Sequence, residues 1–405
     1  MPHRLLYVGD VPVEASYHGS ALLYRLLSEY EPEELRIVET GSASLPDRRL
    51  PRVKYEWSPL ARTRWLNTRF HPYVVTYHSA AAKRPSAELL TKVNEFEFDC
   101  VLTVAHGFGW LAASALAEYR SVPLHLIVHD DWPRAAHVPT IFRSWLDRSF
   151  AKTYRQAQSR MCISPTMKDC YRHKYGVDGD VLYPMRQNGG PQFGSPATRV
   201  GASDHPFTIA FAGSINTPGY VRALKRLSAA LELVGGRLLL FGPLNKSEAE
   251  GLDLARPNII FGGLLESATL IKQLRQEADA LFVPMSFAEA DRLNMEMAFP
   301  SKLADYTAVG APLLIYGPDY CSAVRWAKEN PGVAMVVTGN ETDALAEPVR
   351  RLASSPADRV LLGTQALDVG NRYFSHDLVQ SVFNSALKSV TAPQITRVAD
   401  FCSAS

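Results

Sequence analysis

"FPSKLADYTAVGAPLLIY" (residues 299–316) reads as one short helix set between buried strands. Pro300 and Ser301 open the helix, and Gly310 and Pro312 close it, the usual punctuation of a helix start and stop. An apolar run precedes the segment ("ALFVPM", 280–285) and another ends it ("PLLIYG", 312–317), the rhythm of a parallel α/β sheet. Lys302 and Asp305 stand at the head of that helix, where charges with no task would be costly. Behind Ser301 the first-turn N–H groups and the positive end of the helix dipole point out of the sheet. Lys302 adds a full positive charge, so the corner suits a diphosphate. Asp305, one turn on, is placed to accept from sugar hydroxyls. The plainer alternative is a surface ion pair between Lys302 and Asp305 at spacing i, i+3.

The same rhythm extends in both directions. Upstream and downstream lie "FTIAFAG" (207–213), "RLLLFG" (237–242), "NIIFGG" (258–263) and "VAMVVT" (333–338), with helices expected near 219–233, 246–254, 267–277, 321–329 and 341–354. Before them, "RQNGGPQFGSPATRVGASDHP" (186–206) is rich in Gly, Pro and Ser and lacks periodicity, which predicts a linker. The first half repeats the pattern with "RLLYVG" (4–9), "ELRIVET" (34–40), "DCVLTVA" (99–105), "LHLIVHD" (124–130), "RMCIS" (160–164) and "DVLYP" (180–184). Residues 57–83, aromatic and basic, predict irregular loops with a short helix. From about 356 to 390 the chain reads as helical, with a break at Gly370 and Asn371.

The expected organisation is therefore α/β, with two Rossmann-like parallel-sheet domains facing a cleft. Residues 1–190 form the first, 191–206 a linker, 207–372 the second, and 373–405 a C-terminal helix and tail returning to the first. At 405 residues the chain is long enough for two such domains. A net charge of +2 gives no global field for nucleic acid. Five scattered cysteines without a CxxC pair argue for a reducing compartment and against a zinc site. The N-terminal apolar run is too short for a signal peptide. No window carries the roughly 18 apolar residues of a membrane span. A cytoplasmic protein is expected. The basic, aromatic stretch 57–83 is a candidate for peripheral contact with the inner membrane face or a glycan.

In open parallel sheets, ligands bind at the carboxyl ends of the strands, so the loops that follow strands carry the candidates. After the first strand, Gly19 lets the backbone approach a ligand and Ser20 is a candidate N-cap. No GxGxxG is present, so a dinucleotide fingerprint is unsupported. "LIVHDDWP" (126–133) ends an apolar strand with His129, Asp130 and Asp131, a histidine beside carboxylates that can tune it. His106, in "VAHGFGW" (104–110), ends another strand and is expected to face the same space. A metal site would need more ligands than the local His-Asp-Asp cluster supplies, and none is expected. "FAGSINTPGY" (211–220) offers Gly213, Ser214 and Asn216 at a corner that can bond a phosphate.

Taken in order, these pieces resemble the GT-B glycosyltransferases, family 4 in particular. Members often carry a P-S-K-L-x-E-Y-x-A-x-G-x-P segment, which stands here as Pro300, Ser301, Lys302, Leu303, Asp305, Tyr306, Ala308, Gly310 and Pro312. "VHDDWP" resembles the family's first-domain strand end, and "CISPTMKDCYRHKYG" (162–176) with "VLYPM" (181–185) its stretch before the linker. The resemblance implies a nucleotide diphosphate sugar as donor substrate on the second domain, no further cofactor, and a glycan, lipid-linked or small-molecule acceptor on the first. It implies Gly213, Ser214, Ser301, Lys302 and Leu303 at the diphosphate and Asp305 at the ribose. Gly242, Pro243, Gly263 and Leu264 would frame the base, His129 would lie near the transferring sugar, and transfer would be retaining. If the enzyme inverts instead, His129 or Asp130 is the expected base.

Two departures stand out. The family's first glutamate, eight residues before the second, is Met297, and Glu289 or Glu296 is the candidate replacement. The "FAGSINTPGY" corner has no Arg or Lys before Arg222, which leaves Lys302 to carry more of the phosphate charge. A sugar-nucleotide epimerase of the same architecture and a non-catalytic sugar-nucleotide sensor are the rival readings.

Overall fold

The structure, a computed structural model, describes residues 4–15, 18–60, 68–81, 84–197, 199, 204–215 and 217–388. Asn216, residues 61–67, 82–83 and 389–405, and part of the 191–206 linker lie outside the described residues.

Strands of four or five apolar residues recur because both faces of each sheet are covered, so no alternation with polar residues is needed. The first sheet contains β1 (Leu5–Gly9), β2 (Leu35–Glu39), β3 (Lys54–Trp57), β4 (Cys100–Val104), β5 (Leu124–Val128), β6 (Ser159–Cys162) and β7 (Asp180–Val181). Its spatial order is β3-β2-β1-β4-β5-β6-β7, parallel throughout. The second sheet contains β8 (Thr208–Ala212), β9 (Arg237–Phe241), β10 (Ile259–Gly263), β11 (Ala280–Pro284), β12 (Leu313–Tyr316) and β13 (Ala334–Val337). Its order, β10-β9-β8-β11-β12-β13, repeats the first, again all parallel. The strand order reverses direction beside β1 and β4 and beside β8 and β11, where a parallel sheet opens its binding crevice.

Three expectations need correction. β3 was not foreseen: "KYEW" is a half-exposed edge strand whose polar residues carry no apolar run. The expected break at Gly370 and Asn371 is absent, because one helix runs through them from Pro356 to Phe374. Gly370 is there for room: a Cβ would lie 2.3 Å from both the Arg186 guanidinium and the Thr307 hydroxyl. Ser20 is not an N-cap, since the helix already begins at His18 and Ser20 is buried within its first turn. Gly19 sets that start, because its missing Cβ lets the turn seat on the His129 ring, 2.6 Å from where the Cβ would be.

The chain passes between the two sheets twice. The first passage follows β7, and the second lies at Phe374–Ser375, ahead of the helix His376–Lys388. That last helix packs on β6 and β7 and sends the Gln380 amide to the Leu26 carbonyl (3.3 Å), so it belongs to the first domain's core. The two passages touch, with the Arg186 N–H donating to the Phe374 carbonyl at 3.0 Å. Tyr183, Phe299, Trp326 and Phe374 pack ring against ring around them, mostly edge-to-face. Among the described residues no helix is long and apolar enough to cross a membrane.

Candidate functional site

In the second domain the site is built at the carboxyl ends of β8, β9 and β10. The Gly213 N–H donates to the Phe241 carbonyl and the Gly242 N–H to the Gly263 carbonyl, both at 2.9 Å, so the three corners step across together. Gly242 has φ +151°, and a Cβ there would lie 2.5 Å from the Gly213 carbonyl oxygen, so no other residue fits. Beside the corner is a surface hollow of about 480 Å³ lined by Ile215, Pro243, Leu244, Glu248, Gly251 and Leu252. Pro243 lines it; Gly263 and Leu264 do not, and Leu264 is exposed.

Lys302 occupies the first turn of the helix Lys302–Val309. Its ammonium sits 4.0 Å from the centre of the Phe211 ring, 5.4 Å from that of Tyr220, and 3.4 Å from where a Gly213 Cβ would be. The aromatic faces give the cation a partial partner. Burial lowers its pKa to about 7. The alternative, an ion pair between Lys302 and Asp305, is not formed; Asp305 pairs with Arg25. Ser301 is exposed and makes no side-chain capping bond. Leu303 is buried, and its N–H is committed to the Pro300 carbonyl (3.1 Å).

Asp305 meets the first domain. Its two carboxylate oxygens each accept from the Arg25 guanidinium at 3.3 Å, and the Ser267 hydroxyl lies 3.5 Å away. Arg25 also donates to Ser267 (3.0 Å) and to the Met185 carbonyl. The Asp305 carboxylate is therefore already engaged by Arg25 and Ser267. Met297 is buried, and its carbonyl accepts from the Ser164 hydroxyl at 2.6 Å, a second bond between the domains. Glu289 and Glu296 both pair with Arg292, at 3.6 and 3.2 Å; Glu289 is exposed and Glu296 half-buried.

Across the cleft, the loops after β1, β4 and β5 converge. His129 Nε2 lies 3.4 Å from Asp130 Oδ2, and His106 Nδ1 lies 3.8 Å from the same oxygen. The neighbouring Asp130 carboxylate raises the His106 pKa against the opposing effect of burial. The strand end thus gains a third polar member from β4. The ligand atoms of His106, His129 and Asp130 lie within 4.8 Å of one another, a set able to take a metal ion.

Asp10, directly after β1, went unnoticed in the sequence. Its carboxylate accepts from the Thr40 hydroxyl and the Phe108 N–H (2.6 Å), at the start of the helix Gly109–Arg120. Burial raises its pKa, with the bonds to Thr40, Phe108 and Gly109 and the charge of His106 opposing. Its signal was available: a carboxylate immediately after an apolar strand, "LLYVGD", at the switch point of the sheet.

Residues 24–184 match the model of Glycosyltransferase Family 4. No curated protein matches the chain. Among solved structures, Anabaena HepE in complex with UDP superposes with a TM-score of 0.68 at 12% identity, covering 96% of this chain and 100% of that one. Sucrose-phosphate synthase from Thermosynechococcus elongatus gives 0.66 at 13%, with 95% and 98% covered. The α,α-trehalose 6-phosphate synthase from Burkholderia multivorans gives 0.65 at 13%, with 96% and 99% covered. With its paired parallel sheets and returning final helix, the chain has the GT-B fold, and within it residues 24–184 are similar to glycosyltransferase family 4.

Proposed function

We propose that the protein is a retaining glycosyltransferase that moves a sugar from a nucleotide diphosphate sugar to an acceptor held by the first domain. The carrying observation is Lys302, whose ammonium is held at the β8 corner against aromatic faces. Transfer breaks the bond between the anomeric carbon and the diphosphate oxygen, and negative charge builds on that oxygen. Lys302 and the helix end behind it stabilise the charge, which supplies without a metal ion the electrostatic help this step needs. The acceptor hydroxyl then bonds the anomeric carbon from the same face, and its proton passes to the departing phosphate. His129, anchored by Asp130 and seated on Gly19, orients the transferring sugar. The acceptor is a glycan, a lipid-linked sugar or a small molecule.

HepE was solved with UDP-glucose, which makes UDP-sugars the first donors to test. In a thermal-shift panel of UDP-, GDP-, dTDP- and ADP-sugars, one base class is expected to stand out. At a hundredfold excess over Kd it stabilises by about 2.7 kcal/mol, or roughly 5–10 °C for domains of this size. A flat panel sinks the reading. His129→Ala is expected to lower transfer about a hundredfold through lost positioning while the donor-induced shift persists. A variant that transfers at the parent rate removes His129 from the mechanism.

A further inference from the structure

The helix His71–Ala81 is turned inside out relative to ordinary amphipathic packing. Its buried residues are Thr76 and Ser79, while Tyr73 and Tyr77 are 53% and 62% exposed. Phe70, just ahead of the helix, is 41% exposed and continues the row at spacing i, i+3, i+7. Arg69 lies over the Phe70 ring at 5.1 Å, and Arg84, just after the helix, is exposed. The charge around this row is one-sided. From Trp57 to Ala87, 31 residues contain no Asp or Glu, yet hold five Lys or Arg and five Phe, Trp or Tyr. A chain near neutrality overall has concentrated cations and exposed rings in one window.

We infer that this face is a docking surface for an anionic lipid bilayer. Tyrosine and phenylalanine place an apolar ring at the headgroup level, and tyrosine keeps its hydroxyl wet. Arginine beside them meets the negative surface potential. An anionic bilayer accounts for the exposed rings and the cations together, whereas an acidic protein partner accounts for the cations alone. Docking would hold the first domain at the membrane. The inference stands apart from the transferase reading, and its test involves no sugar.

The full-length protein is sedimented with vesicles of phosphatidylcholine, with and without phosphatidylglycerol. Binding is expected only with phosphatidylglycerol and is expected to weaken at high salt. Removing one cation near the surface costs about fivefold in partition, so the double variant Arg69→Glu, Arg84→Glu should lose about 25-fold or more. Tyr73→Ser with Tyr77→Ser should release most of the bound protein without lowering the melting temperature, since both side chains face solvent. Equal binding to neutral vesicles, binding unchanged in both variants, or retention on an anionic polysaccharide or nucleic acid without vesicle binding overturns the inference.

Discussion

Replacing Lys302 by methionine is expected to abolish donor-induced stabilisation while making the free protein more stable. In the folded free protein the amine titrates near 7, held down by burial. In the unfolded chain it titrates near 10.4. Below pH 7 it is charged in both states, and folding carries the full desolvation cost. Between 7 and 10 the unfolded chain binds the extra proton, so stability rises with pH and the cost fades. The depression corresponds to roughly 3–5 kcal/mol, which methionine removes while keeping much of the stem's packing. Denaturant melts should show the gain of Lys302→Met in full near pH 6 and largely gone near pH 10. Donor affinity runs the other way. A diphosphate needs the charged amine, so parent binding should fall by up to about tenfold per pH unit above 7. A donor titration flat from pH 7 to 9, or a methionine variant that still responds to donor, refutes Lys302 as the phosphate cation.

The second large effect lies in the first domain. Gly107→Ala is expected to cost roughly 2–5 kcal/mol, more than alanine at a glycine of similar dihedral. Gly107 has φ +53°, and its Cβ would lie 1.7 Å from Asp10 Oδ2. The carboxylate is pinned by Thr40 and the Phe108 N–H, so it cannot retreat without losing them. Left-handed backbone with a side chain accounts for about 1–2 kcal/mol, and disrupting the held carboxylate adds about 1–3. Gly176 is the control: φ is +74°, but no atom lies within 4 Å of an added Cβ. Chemical denaturation of the two variants separates backbone strain from the Asp10 contact. Equal losses would show that Asp10 moves aside freely.

The fold was legible because its information is local. Runs such as "LLYVG" and "LLIY" are buried along their whole length, as strands covered on both faces must be. Legibility failed where tertiary contact overrides local pattern. "KYEW" pairs only at the sheet edge, and Gly370 is a packing glycine that looks like a stop. The polar corners behaved alike. Lys302 was readable from its place at a helix head. The partner of Asp305 was not, because Arg25 lies 280 residues away and the two meet only when the domains do. His106 and Asp130 likewise share contact only through neighbouring strands, and no spacing rule links them.

The double passage between the sheets bears on how the cleft can move. A single thread would let one half swivel in any direction about the other. Two threads, stitched by Arg186 to Phe374 and wedged by aromatic rings, act like a door hung on two pins. Motion is confined to swinging about the line that joins them. The same stitching means that a protease cut in the glycine-rich passage severs one pin and leaves the halves fastened by the other.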